Sequence, residues 1–360
     1  GTRLGFDGPK GSYPIAPVTQ KSLFQLYAEK ILALQRRLRR SLRWFLMTSP
    51  SNHKQTQHFF RNHNYFGLNP ADISFHAQAM LPVVDPRRGK ILLRSKCEIA
   101  LSPNGHGGAV QIIQSLGDTL RELGIVYLFT HQVDNPMVRM CDPIFIGYHR
   151  LQNSHFSSKA VAKADADERV GVFCRSGKKL VLVEYSELGE REKHAQDPDG
   201  RLSFRAGNIA QHVISVSLLC PEDQAPSFVM PYHVAHKITP YLRNGELVNA
   251  EAPNSIRFES FLFDVLPYAT NPVVLETTRA EEFAPLKNSA GPNSPDTCQR
   301  AMMEEWARWL ETAGVALPRN SEHEINMKLE ISPLFATSAK ELRARLNGDN
   351  LTLHDPLLLE

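Results

Sequence analysis

At 360 residues, with 42% hydrophobic and 22% charged side chains, the chain has the make-up of a globular protein and no compositional case for disorder. A formal net charge of +3, from 41 basic and 38 acidic residues, excludes the strongly basic face that a nucleic-acid binder needs. Five scattered cysteines fit neither zinc-ligand spacing nor a disulfide framework; with no membrane-length apolar run and no signal peptide, they point to the cytoplasm.

The chain opens on Gly1-Thr2-Arg3-Leu4-Gly5, followed by Pro9-Lys10. Glycines let backbone N–H groups approach a phosphate, and Arg3 and Lys10 supply the cations a phosphate chain needs. It is not a Walker loop, because no Gly-Lys-Ser/Thr follows. Such loops normally leave a buried strand, so the native protein is expected to continue upstream of Gly1.

Leu23, Leu26, Ile31, Leu34 and Leu38 recur at helical spacing, and residues 43–48 then read as a buried strand. The basic run Arg36, Arg37, Arg39, Arg40 and Arg43 has no interleaved aromatic platform, so it reads as a solvated helix face. A second helix is expected around residues 57–62. Further strands are expected at 91–94, 125–130, 158–163, 170–175 and 180–184, with helices near 110–123 and 143–151. This alternation predicts an α/β fold with a mixed, mostly parallel sheet covered by helices. Asp197-Pro198-Asp199-Gly200 marks a turn. Residues 288–297, rich in Asn, Gly, Ser and Pro, read as a linker. The domain boundary is placed there: a main domain over 1–290 and a small C-terminal domain over 291–360, with helices near 302–312 and 338–346.

Several blocks carry a resemblance. Gly1-Thr2-Arg3-Leu4-Gly5 with Pro9-Lys10 is followed by Gln78-Ala79-Met80-Leu81-Pro82, Ser102-Pro103-Asn104-Gly105-His106-Gly107-Gly108 and Val133-Asp134-Asn135. Then come Val170-Gly171-Val172, Val183-Glu184-Tyr185-Ser186-Glu187, Ala206-Gly207-Asn208-Ile209-Ala210 and Tyr232-His233-Val234-Ala235-His236-Lys237. Phe261-Leu262-Phe263-Asp264, Pro285-Leu286-Lys287-Asn288 and Ile331-Ser332-Pro333-Leu334 complete the series. In this order over nearly the whole chain, they resemble the eukaryotic-type UDP-sugar pyrophosphorylases, most closely the UDP-N-acetylglucosamine pyrophosphorylase branch.

The resemblance implies a glycosyltransferase-A-like, Rossmann-like nucleotide-binding sheet with UTP and a sugar 1-phosphate as substrates and Mg²⁺ as cofactor. It implies Arg3, Lys10, Lys163 and Lys287 as catalytic cations. UTP contacts would come from Gly1, Lys10, Gln78, Met80, Pro82, Gly105, Asp134, Arg257 and Lys287, and Asp134 would hold the metal. Asp142-Pro143 reads instead as a helix cap. The sugar would meet His106, Gly171, Glu184, Tyr185 and Asn208, with Phe261 and Phe263 as a wall. Spaced by two, those phenylalanines equally fit one face of a core strand.

Three positions depart from the family pattern. Arg257 stands where lysine is more usual, and the Asn104/His106 pair replaces the branch's usual Pro-Asp-Gly-Asn-Gly-Gly. His106 is more typical of the UDP-glucose and broad-specificity branches, so glucose or galactose 1-phosphate stands as the alternative to N-acetylglucosamine 1-phosphate. A non-catalytic nucleotide-sugar binder would be expected to have lost the charged groups. Arg3, Lys10, Asp134 and Lys287 are all retained.

Overall fold

The computed structural model describes residues 4–222, 228–347 and 351–360. Helix α1 (Leu23–Leu38) begins at Ser22, whose side chain accepts the Gln25 N–H. Of its apolar stripe Leu23, Leu26, Ile31 and Leu34 are buried, while Leu38 at the helix end is exposed. The helix leads into β1 (Trp44–Thr48), then α2 (His53–Asn62) and β2 (Ile73–Ala77), with β1 and β2 paired in parallel. Strand β3 (Met80–Pro82) pairs antiparallel with β4 (Leu101–Pro103) ahead of α3 (Gly108–Ser115). The single helix expected over 110–123 is two: α3 stops at Leu116, and a short helix, Gly117–Glu122, follows.

The central sheet contains β5 (Tyr127–Thr130), β6 (Phe156–Ala162), β7 (Val172–Ser176), β8 (Lys179–Val183), β9 (Ala206–Ser215) and β12 (Val273–Glu276). Helix α4 (Pro143–Leu151) joins β5 to β6, capped by the Asp142 carboxylate on the Ile144 N–H as its Asp-Pro start predicts. A separate ribbon pairs β10 (His233–Lys237) with β11 (Ser255–Glu259).

Sequence patterning misses β9, because Gln211 and His212 are polar yet buried and break the alternation. It is the centre of the sheet. One edge of β9 pairs antiparallel with β6, with a register shift between Asn208 and His212, while the other edge meets β7 at Gly207 and β5 from His212 to Ser215. Strand β12 runs parallel to β6. It follows that β5, β6, β7 and β12 share one direction, and β8 and β9 oppose them. The sheet is mixed, as expected, but direct parallel pairing within it is limited to β6–β12.

Helix α5 (Pro295–Thr312) starts inside the stretch expected to be a linker, because Ser294 caps it and Pro295 fits its first turn. Strand β13 (Leu329–Ile331), helix α6 (Ala339–Leu346) and β14 (Leu357–Leu359) follow. These last elements share a core with Leu4, Ile15, Leu23, Leu26 and Tyr27. The fully buried Glu330 on β13 accepts the Val18 and Thr19 N–H groups at 2.9 and 2.8 Å. No helix among the described residues is long and apolar enough to cross a membrane.

One ion cluster lies inside the sheet. Lys159 on β6 is 1% exposed, and its Nζ lies 2.6 and 2.7 Å from the Glu282 oxygens and 2.7 Å from Asp142 Oδ2. Removing the cation would leave Glu282, itself 2% exposed, as an unpaired buried charge. Lys159→Met is expected to lose about 3–5 kcal/mol of stability in urea unfolding. An unchanged unfolding midpoint would show that the cluster is dispensable.

Candidate active site

Strands that run the same way bring their carboxyl ends to one rim, where open α/β sheets bind ligands. Asp134 lies just past β5, Lys163 just past β6, and residues 277–287 follow β12. Lys10 reaches this rim from the opening loop. Its Nζ lies 3.5 Å from Asp134 Oδ2 and donates to the Leu286 carbonyl at 3.2 Å. Leu286 N–H donates to the Asp134 carbonyl at 2.7 Å, so Lys10, Asp134 and the segment bearing Lys287 are tied together.

The anchor for this arrangement is Asn135. Its Nδ2 donates to the Glu282 carbonyl at 2.7 Å, and its Oδ1 accepts the Ala284 N–H at 3.1 Å. Lys30 donates to the Pro136 and Val138 carbonyls from below, and burial lowers its pKa to about 8. Cys298 donates to the Ala284 carbonyl at 3.0 Å, and burial, with the Asp134 charge, pushes its thiol up to about 12.

A second group surrounds Gln78, which follows β2. The β3–β4 pairing sets Met80 opposite Pro103 and Pro82 opposite Leu101, while the Asn104 N–H donates to the Ala79 carbonyl. This folds the glycine loop over Gln78. At Gly105, φ is +75° and a Cβ would come 2.6 Å from the Ser260 carbonyl oxygen, so only glycine fits. Gln78 Oε1 is buried and has no hydrogen-bond partner among the described residues.

The third group is polar. Asn208 N–H donates to the Gly171 carbonyl at 2.8 Å, and a Cβ on Gly171 would lie 3.4 Å from Glu184 Oε1. Burial, then the Glu187 charge, raises the Glu184 pKa, opposed by His233 and Lys287. Lys287 thus links this group to the Lys10–Asp134 group. Tyr185 follows Glu184 with its ring 40% exposed.

Phe261 and Phe263 do not share a strand face. Phe261 precedes the 3₁₀ segment Leu262–Tyr268 and Phe263 lies within it, because Asp264 turns back to accept the Phe261 N–H at 2.9 Å. His106 stacks on Phe261 at 5.1 Å and lies 5.3 Å from Phe263, and its Nδ1 accepts the Leu262 N–H at 3.0 Å. Burial, and then the neighbouring His233, depresses His106 to about 4.

Other expected residues are less engaged. Lys163 Nζ donates to the Ala166 carbonyl at 2.8 Å. Arg257 is drawn into its own ribbon, donating to Thr239 Oγ1 at 2.9 Å and the Ile238 carbonyl at 3.1 Å, with no contact to the Lys10–Asp134 pair. Gly1 and Arg3 lie outside the described residues. Sequence reasoning gave no role to Asn135, His233, Asp264 or Glu282. The first three lie within the quoted blocks, which was the available signal. Glu282 had none.

The fold and this rim are those of a nucleotidyltransferase-type α/β protein. The chain belongs to the UTP–glucose-1-phosphate uridylyltransferase family, whose model matches residues 1–334. Among its relatives, the UDP-N-acetylglucosamine pyrophosphorylase of Saccharomyces cerevisiae is 36% identical over 342 residues, covering 91% of this chain and 71% of its own. The UDP-N-acetylglucosamine diphosphorylase 2 of Arabidopsis thaliana is 34% identical over 377 residues, covering 99% and 72%. A solved structure of the Trypanosoma brucei uridine diphosphate N-acetylglucosamine pyrophosphorylase, in complex with inhibitor, matches with a TM-score of 0.83 at 28% identity. That match covers 100% of this chain and 77% of the other.

The buried histidines set an acid limit. Burial lowers His106, His131 and His149 from 6.5 to about 4, and His212 to about 3. Below 6.5 the unfolded chain takes up protons that these folded imidazoles refuse. Their contribution is complete above that value and is lost as pH falls towards 4. His233, Glu184 and Asp264 are raised instead and work in the opposite sense, offsetting part of this loss. The thermal midpoint is therefore expected to fall steadily between about pH 6.5 and about pH 4. A flat midpoint across that range would contradict the burial of these rings.

Proposed function

We propose that the protein is a uridylyltransferase, joining UTP and N-acetylglucosamine 1-phosphate into UDP-N-acetylglucosamine and pyrophosphate. The observation that carries this reading is the convergence of Lys10, Asp134 and the Leu286–Lys287 segment on one rim of the sheet. The relatives named above support N-acetylglucosamine 1-phosphate as the acceptor.

A phosphate oxygen of the sugar 1-phosphate attacks the α-phosphorus of UTP, and the bond to the bridging oxygen breaks as pyrophosphate leaves. The nucleophile is already an anion, so no general base is needed. The barrier lies in gathering two polyanions in line. Lys10 is assigned to the departing pyrophosphate, and the resemblance assigns Arg3 and the Gly1 backbone the same role. Lys163 and Lys287 oppose charge on the sugar phosphate and the transferred group.

Gln78 reads the uracil edge, with its unpaired Oε1 accepting a base N–H and the Met80–Pro82 backbone and Gly105 framing the ring. Glu184 and Asn208, with the Gly171 backbone and Tyr185, take the sugar hydroxyls. Phe261, Phe263 and His106 wall the acetamido side. Buried polar groups of this kind reject sugars that leave them unpaired.

Mg²⁺ belongs to the same reading, held by Asp134. An ion of this type takes one or two carboxylates and completes its shell with phosphate oxygens and water. The Asp134 carboxylate fits, since among the described residues its one polar partner is Lys10, at 3.5 Å. When bound, the ion would supply charge neutralisation at the α-phosphate. A cytoplasmic setting is in keeping with the five unpaired thiols.

Glucose or galactose 1-phosphate is the second reading, favoured by the imidazole of His106 against Phe261. A panel of sugar 1-phosphates scored by pyrophosphate release separates the two, and exclusive use of glucose 1-phosphate would reverse the order. Lys10→Ala and Asp134→Ala are each expected to lose on the order of 3 kcal/mol of transition-state stabilisation, roughly a hundredfold in rate, with the fold retained. Near-normal turnover by either variant would remove that residue from the mechanism.

A further inference from the structure

One charged side chain beside the sugar group has no part in the scheme above. His233 opens β10, with Nδ1 2.6 Å from Glu187 Oε1 and Nε2 3.1 and 3.2 Å from the two oxygens of Asp264. A neutral imidazole carries a single N–H, so only the imidazolium donates on both sides. The ring also lies against Phe261, at 4.5 Å between centroids. Each partner of His233 belongs to the sugar group or abuts it. Asp264 holds the Phe261 N–H, and Glu187 N–H donates to the Glu184 carbonyl at 2.9 Å.

We propose that His233 is a positioning residue for the sugar half of the site: held as an imidazolium between Glu187 and Asp264, it fixes the Phe261 ring and the Glu184 turn relative to each other. This rests on the pyrophosphorylase reading.

The electrostatics agree with the geometry. Glu184, Glu187 and Asp264 crowd three carboxylates onto this side, opposed by His233 and Lys287. Without the His233 charge, Glu184 is pushed further towards its protonated form and becomes a poorer acceptor for a sugar hydroxyl. Burial disfavours the charged imidazole, but the two carboxylates outweigh it and hold His233 above its ordinary value. Among the described residues, His233, Glu187 and Asp264 make no hydrogen bond to Gln78, Met80 or Pro82, and their route to the glycine loop runs through Phe261, on which His106 stacks, so the nucleotide half is affected less than the sugar half.

Calorimetric titration of UDP and of UDP-N-acetylglucosamine separates the two halves. The unsubstituted protein is expected to bind both. His233→Gln is expected to bind UDP within about twofold of normal and UDP-N-acetylglucosamine roughly tenfold more weakly, the size of one lost charged hydrogen bond. Glu187→Ala removes one jaw from a side chain 43% exposed, so it carries little folding risk and decides the matter if the histidine variant does not fold. It is expected to show the same selective loss, roughly threefold. Unchanged affinity for UDP-N-acetylglucosamine in a folded variant, or equal loss of both ligands, overturns the positioning role. Failure of the unsubstituted protein to bind either ligand overturns the pyrophosphorylase reading, and the role of His233 with it.

Discussion

The buried pairing of Lys159 with Glu282 is the constraint on which the rest of the structure hangs. An ammonium group at 1% exposure is tolerable only if its charge is answered at close range, and both Glu282 oxygens and Asp142 answer it. That requirement fixes three separate pieces of chain. Asp142 is the cap of α4, so the helix start is held. Thr277 donates to Glu282 Oε1, so the exit of β12 is held. The Glu282 carbonyl then receives Asn135, and the loop that presents Asp134 follows. The rim is thus organised by groups other than those assigned to substrate.

Much of the fold was legible because its elements announce themselves chemically. Asp142-Pro143 gives the cap of α4, and Ser338 gives that of α6, each by the side-chain acceptor a helix start requires. What was hidden was β9. Gln211 and His212 are buried on successive positions of it, and their polar groups find partners or neighbours only in the folded sheet, as with His212 Nδ1 and Ser158 Oγ at 2.9 Å. A local pattern cannot register a polar residue that is satisfied 54 positions away. A different reason hid the true start of α5: Asn-, Gly- and Pro-rich composition suggested a linker, although Ser294-Pro295 within it is a local helix start.

The candidate site divides along similar lines. Lys10, Asp134 and Lys287 were named on resemblance; Lys10 and Asp134 meet, and the Leu286 backbone that precedes Lys287 is bonded to both. Glu184, Gly171 and Asn208 were named the same way and also meet. Arg257 was named with them, yet Thr239 and Ile238 take its donors. Residue type identifies a cation, but only the neighbours decide whether its charge remains available. Conversely, Asn135 and Asp264 work through backbone groups, which leave no signature in side-chain composition.

Glu330 ties the opening loop to the far end of the chain. Val18 hangs from a carboxylate 312 residues further on, and Lys10 lies only eight positions before it. A contact of such separation has to wait for synthesis to reach β13, since domains form in the order the ribosome delivers them. Until β13 has been made, Val18 and Thr19 lack that acceptor, and the loop bearing Lys10 is one anchor short of its final setting. The placement of this loop is thus decided by chain made 312 residues after Val18 rather than by its own neighbourhood.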